Sequence, residues 1–146
     1  MLALAGQSMI DYGKFRSSLK GLEEQHENHL HHDPSLTEIT RNGIAESVIQ
    51  RFEICYDCLW KVLKRYLFEV LRIDDPPNSP KPVLRLADEA NVLPTPLAHW
   101  LRYANARTST SHDYDCEKAD ACLVLVPDFL ADAIKLYVTM SGDAWK

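Results

Sequence analysis

The residue types that could do chemistry crowd into one short stretch, Asn105-Ala106-Arg107-Thr108-Ser109-Thr110-Ser111-His112-Asp113-Tyr114. Four small polar residues separate Arg107 from His112. A helix ending near Arg107 could therefore turn back and bring a guanidinium and an imidazole into the same small volume. Tyr114 follows two residues later. An imidazole takes up or releases a proton near neutral pH, and a guanidinium offers several fixed donors that match a phosphate. The combination suits phosphodiester chemistry. In the plainer alternative, an Arg at a helix end and a His in the next turn do no more than cap carbonyls.

The elements that must position this stretch are helical. From about Tyr12 to Leu30, apolar residues at Phe15, Leu19, Leu22 and Leu30 recur at helical spacing among charged ones. The segment closes in His26, His29, His31 and His32. With no carboxylate or thiol at metal-site spacing, these read as a solvated helix end. A second helix has an uncertain start, because Thr37 is followed by Thr40 and the capping box is incomplete. Its seam is clear from Ile49 through Phe52, Tyr56, Leu59, Leu63, Tyr66 and Val70, which step by three and four. Trp60 and Leu67 widen that seam, while Ile54, Val62 and Phe68 fall on other sides. A long helix that is apolar on several sides must bury several sides, so contact with both its own bundle and a second copy of the chain is expected.

Pro76, Pro77, Pro80 and Pro82 break the helix and hold the chain extended. Ser79 then caps a short helix with Pro80 at its first position, ending near Asn91. Thr95 followed by Pro96 repeats this signal and opens a helix through Leu97, Trp100, Leu101 and Ala104 toward Arg107. After the motif, a last helix carries Ala119, Cys122, Leu123, Val126, Leu130, Ile134 and Tyr137, and Pro127 should kink or divide it. Ser141 to Lys146 reads as frayed. These elements predict an all-α fold, an antiparallel four-helix bundle with a short extra helix, in a single domain over residues 1–146.

Composition narrows the function. A chain of 146 residues with 46% hydrophobic content can build one core. A net charge of -5 argues against holding nucleic acid on a broad basic surface, so any RNA contact must be local. No run approaches the ~20 apolar residues of a membrane span, and Met1 to Ile10 lacks the basic start of a signal peptide. A cytoplasmic protein with no membrane contact is expected. Cys55 and Cys58 have zinc-like spacing, but Cys116 and Cys122 do not, and both pairs lie in helical pattern. Buried or half-exposed thiols, no metal and no cofactor are the expectation. No Gly-rich phosphate loop appears.

The string Arg107-x4-His112-x-Tyr114 resembles the Arg-x4-His-x-Tyr signature of HEPN-domain proteins of the HepT type, also called nucleotidyltransferase substrate-binding proteins. The run Ile49-Gln50-Arg51-Phe52-Glu53, then apolar residues, then Trp60-Lys61, is similar to that family's second helix. Ser79-Pro80, Trp100-Leu101 and Thr110-Ser111-His112-Asp113-Tyr114 follow in the family's order, so the likeness runs from about Phe15 to Tyr137. One departure is Thr108, where the family usually has Asn; it keeps a hydrogen-bonding group and loses the amide. The resemblance implies a HEPN-like bundle that forms a symmetric homodimer. It implies the toxin of a toxin-antitoxin pair, a metal-independent endoribonuclease with Arg107 and His112 catalytic. Asn105 and Thr108 would support them, and RNA would be the substrate. It also implies a minimal nucleotidyltransferase antitoxin as partner, which inactivates the enzyme by transferring AMP to Tyr114. The alternative is a non-catalytic subunit that docks a separate nucleotidyltransferase and offers it a substrate.

Overall fold

The computed structural model describes residues 10–112 and 116–146, with 110–112 and Cys116 described by their backbone alone. Five helices make up this part of the chain: α1 (Gly13–Leu30), α2 (Glu38–Glu69), α3 (Pro80–Glu89), α4 (Leu97–His112) and α5 (Cys116–Ser141). No strand occurs among the described residues. α1, α2, α4 and α5 pack together as the bundle, and the short α3 lies against α2 and α4. The short connection over 31–37 between the packed helices α1 and α2 makes that pair antiparallel.

The elements start and stop for local reasons. The Thr37 side chain accepts a hydrogen bond from the Thr40 amide at the start of α2, so the incomplete box still caps. Pro80 occupies the first turn of α3, where its missing N–H costs nothing, and Asn91 takes a left-handed φ of 61° just past its end. The expected cap at Thr95 is different in kind. α4 begins at Leu97, and the Thr95 hydroxyl accepts instead from the Trp100 indole N–H at 3.0 Å. Pro127 sits inside one continuous helix, so α5 is not divided.

The α2 seam forms the centre of the core. Ile49, Phe52, Tyr56, Leu59 and Leu63 are buried, and so is Val62, which the spacing had placed on another side. Ile54 and Phe68 remain about half exposed. Edge-to-face aromatic contacts then tie three helices together. The Phe52 and Phe129 rings lie 4.9 Å apart, Phe129 and Tyr103 5.3 Å, and Tyr103 and Trp100 5.6 Å. Each such pair adds roughly 0.5–1.5 kcal/mol beyond its area burial. The Tyr103 hydroxyl donates to buried Asp132 at 2.5 Å, which fixes α4 against α5.

Two expectations about the ends are corrected. Residues 141–146 are not frayed throughout: the Trp145 ring packs edge-on to Tyr137 at 5.4 Å, its indole N–H donates to Glu23, and Lys20 lies 4.3 Å from its centroid. A large apolar ring finds a partner groove that a short polar tail conceals. The histidine cluster is also not solvated as a whole, because His26 is buried at 8% exposure on α1. Burial, with repulsion from His29 added, holds the His26 imidazole below its ordinary 6.5.

That depression gives a sign for pH dependence. The folded state favours neutral His26, so its contribution is complete above 6.5 and is lost as pH falls through the window beneath that value, where the unfolded chain binds the proton first. Urea midpoints measured at about pH 7.5 and about pH 5 should differ less for His26→Leu than for the parent.

Candidate functional site

Arg107 lies one helical turn beyond Tyr103 on α4, and Tyr56 and Asp57 lie one turn beyond Phe52 on α2. The aromatic contacts that lock these helices therefore also set the guanidinium beside α2. Its Nε donates to Asp57 Oδ1 at 3.3 Å and its Nη2 to Asp57 Oδ2 at 3.0 Å, a side-on bidentate pair. Its Nη1 lies 3.7 Å from Glu53 Oε2. Glu53 and Asp57 are four residues apart, so one face of α2 presents two carboxylates to one cation. The hydrogen bonds to Asp57 raise the guanidinium pKa further, against an opposing contribution from burial.

This ion pair walls a cavity of about 520 Å³, lined by Tyr56, Asp57, Ser79 to Pro82, Ala104, Arg107 and Thr108. That is within the size of about 300–1,000 Å³ common to small-molecule sites. The Thr108 hydroxyl donates to the Ala104 carbonyl at 3.2 Å, a local helix bond, so the residue at the family's Asn position spends its donor on its own helix. Asn105 is exposed and does not line the cavity.

The expected turn between Arg107 and His112 is absent. α4 continues to His112, so the two positions share one helix, about 140° apart around its axis and about 7.5 Å along it. Ser and Thr between them are neutral enough in helix propensity for packing of α4 to override them. The His112 side chain and all of Tyr114 lie outside the described residues, and so does Asp113.

Sequence reasoning missed Glu53, Asp57 and Lys81. A signal for the first two was present, since acidic residues at i and i+4 flanking an apolar seam need a cation partner; which of the chain's 16 Lys and Arg would serve was not legible. No group of three or more His, Cys, Asp or Glu suited to a metal occurs among the described residues. Cys55 and Cys122 are buried, with thiols pushed up to about 12 by burial, and carry no nucleophilic chemistry at neutral pH.

With side chains 26% and 38% exposed, the Arg107–Asp57 pair is only partly shielded from solvent. Asp57→Ala should therefore cost no more than about 1–2 kcal/mol by denaturant melting, with the loss shrinking in high salt. A loss that is insensitive to salt would mean that Asp57 acts through packing instead.

Comparison with known proteins places this geometry in a family. Residues 10–142 match the family model described as nucleotidyltransferase substrate binding protein like. Over 97 residues the chain is 32% identical to a Haemophilus influenzae protein named probable ribonuclease HepT, covering 65% of this chain and 66% of that one, just under two thirds. A crystal structure of a Thermus thermophilus protein superposes with a TM-score of 0.69 at 27% identity, covering 85% of this chain and 98% of that one. A Haemophilus influenzae structure, described as the fold of a substrate binding domain of a nucleotidyltransferase, superposes at 0.78 with 23% identity, over 89% and 98%. With most of its length inside the family model and the same all-helical bundle, the chain belongs to the nucleotidyltransferase substrate-binding-protein-like family of the HepT type.

Proposed function

We propose that the protein is the toxin of a toxin-antitoxin pair, a metal-independent endoribonuclease that uses Arg107 and His112. The observation that supports this most directly is the anchoring of Arg107: a guanidinium fixed by Asp57 at a cavity wall, on the same helix as His112. A fixed guanidinium stabilises charge that develops on a phosphorane without reorganising during the reaction. The RNA 2'-hydroxyl attacks its adjacent phosphate, His112 accepts that proton, and the P–O5' bond breaks as the departing oxygen is protonated. The products are a cyclic 2',3'-phosphate and a 5'-hydroxyl. With one His112 per chain, the second proton-transfer group comes from a second copy, so the working form is a symmetric homodimer. The exposed Ile54 and Phe68 on α2 supply apolar surface for such an interface.

In this reading a minimal nucleotidyltransferase antitoxin transfers AMP to Tyr114, two residues beyond His112, and the added phosphate occupies the place of the RNA phosphate. The second reading, a non-catalytic subunit that docks a nucleotidyltransferase, draws support from the description of the family whose model the chain matches. The soluble, cytoplasmic setting of such a pair agrees with the lack, among the described residues, of any helix long and apolar enough to cross a membrane.

Three measurements test these statements. His112→Ala should lower RNA cleavage by ~10² to 10⁴ with melting unchanged, and Arg107→Lys should lose part of the rate because it lacks the planar fork. Unchanged cleavage by His112→Ala would mean that His112 is not catalytic, and absence of cleavage by the parent would favour the docking reading. Sedimentation should give a dimer at micromolar concentration, with an interface above ~1,000 Å²; a monomer would remove the composite site. Incubation with the partner nucleotidyltransferase and ATP should add AMP to the parent and abolish cleavage, whereas Tyr114→Phe should remain unlabelled and active.

A further inference from the structure

Four cavity features remain without a role in the chemistry above: Tyr56, Ser79, Lys81 and the start of α3. Tyr56 is 1% exposed, and its buried hydroxyl has no hydrogen-bond partner. Such a group is normally satisfied by protein, water or ligand, because burying it unpaired is unfavourable. Tyr56 directly precedes Asp57 on α2 and lines the same cavity as the Arg107–Asp57 pair.

On the other side, α3 begins with Pro80, Lys81 and Pro82. Among its first three residues only Lys81 carries an N–H, so the helix offers one backbone donor and its positive dipole end there. The Ser79 hydroxyl makes no side-chain cap bond, and Lys81 is exposed with no acidic partner among the described residues. Tyr56, with its unpartnered hydroxyl, and Ser79 and Lys81 at the N-terminus of α3 thus line one space beside Arg107. Apart from the Asp57 carboxylate, which is already committed to Arg107, these groups favour an anion.

We propose that this cavity is a nucleotide-phosphate subsite, in which Lys81 and the Tyr56 hydroxyl hold a phosphate next to the one contacted by Arg107. The subsite rests on the reading of Arg107 as a phosphate-binding group. Its phosphate could belong to single-stranded RNA or to one mononucleotide, and both present the same oxygen acceptors. Lys81 supplies long-range attraction from the exposed rim. Tyr56 supplies a short-range donor that a screened surface charge cannot replace.

The test uses the full-length chain with three probes: a fluorescein-labelled 2'-O-methyl RNA hexamer that cannot be cleaved, 5'-AMP, and inorganic phosphate. Lys81→Ala should weaken hexamer binding by about tenfold or more and flatten its salt dependence. Tyr56→Phe should weaken binding by about threefold to tenfold while melting at or above the parent temperature, since it deletes a hydroxyl that had no partner to lose. Structural damage would instead lower both. If AMP binds with the same dependence on both residues, one nucleotide fills the subsite; dependence seen only with the hexamer assigns it to an RNA chain. The proposal is overturned if the parent binds none of the probes, if phosphate alone binds without regard to Lys81, or if either variant binds like the parent. Failure here is distinct from failure of the ribonuclease reading. Cleavage that needs His112 but ignores Lys81 removes only the subsite, and binding through Lys81 and Tyr56 without any cleavage removes only the nuclease.

Discussion

The placement of Arg107 depends on how α2, α4 and α5 are locked together by the rings of Phe52, Phe129 and Tyr103. These rings meet edge to face, an arrangement that is directional in a way that aliphatic packing is not. The hydrogen bond from Tyr103 to buried Asp132 adds a second constraint, because a carboxylate at 5% exposure is tolerated only with a partner. Arg107 is one turn from Tyr103 and Asp57 about one turn from Phe52. Any slip of α4 along α2 would therefore separate the ion pair and disturb the aromatic stack together.

The same arrangement accounts for the polarity of the site. Asp57 and Glu53 sit at the margin of the α2 seam, where a carboxylate is partly dehydrated and the arriving guanidinium compensates for it. Both partners keep some access to solvent, so the pair orients Arg107 more than it stabilises the fold. Orientation is the useful outcome. An arginine held by its Nε and Nη2 on Asp57, with Nη1 facing Glu53, lies in a fixed plane and is not a mobile side chain that a ligand would first have to order.

The overall charge of -5 fits a protein whose cationic groups act locally. Lys81 and Arg107 are brought to one cavity by α3 and α4, which are far apart along the chain from the acidic groups they face on α2. In the proposed subsite the attraction of an anion would be local, because Asp57 and Glu53 offset the Arg107 charge and Lys81 adds the remaining cation.

Much of this protein was written in its sequence. The three-and-four spacing from Ile49 to Leu63, the proline break before Ser79, and Pro80 at the start of α3 are local signals, and each became the element it predicted, whereas the expected cap from the Ser79 side chain does not form. The Arg-x4-His-x-Tyr string and the second-helix pattern identified the family, because they are fixed linear features. What lay outside local reach was everything set by contacts between distant residues. The spacing could not show that α4 would run on through Ser and Thr to His112, since packing against α2 and α5 overrides weak propensity. Nor could it choose Asp57 as the partner of Arg107, 50 residues away, leave the Tyr56 hydroxyl buried without a partner, or dock Trp145 on α1. Periodicity reports which face of a helix is apolar; which neighbour meets that face, and which polar groups are trapped at its edge, is decided only when the helices pack.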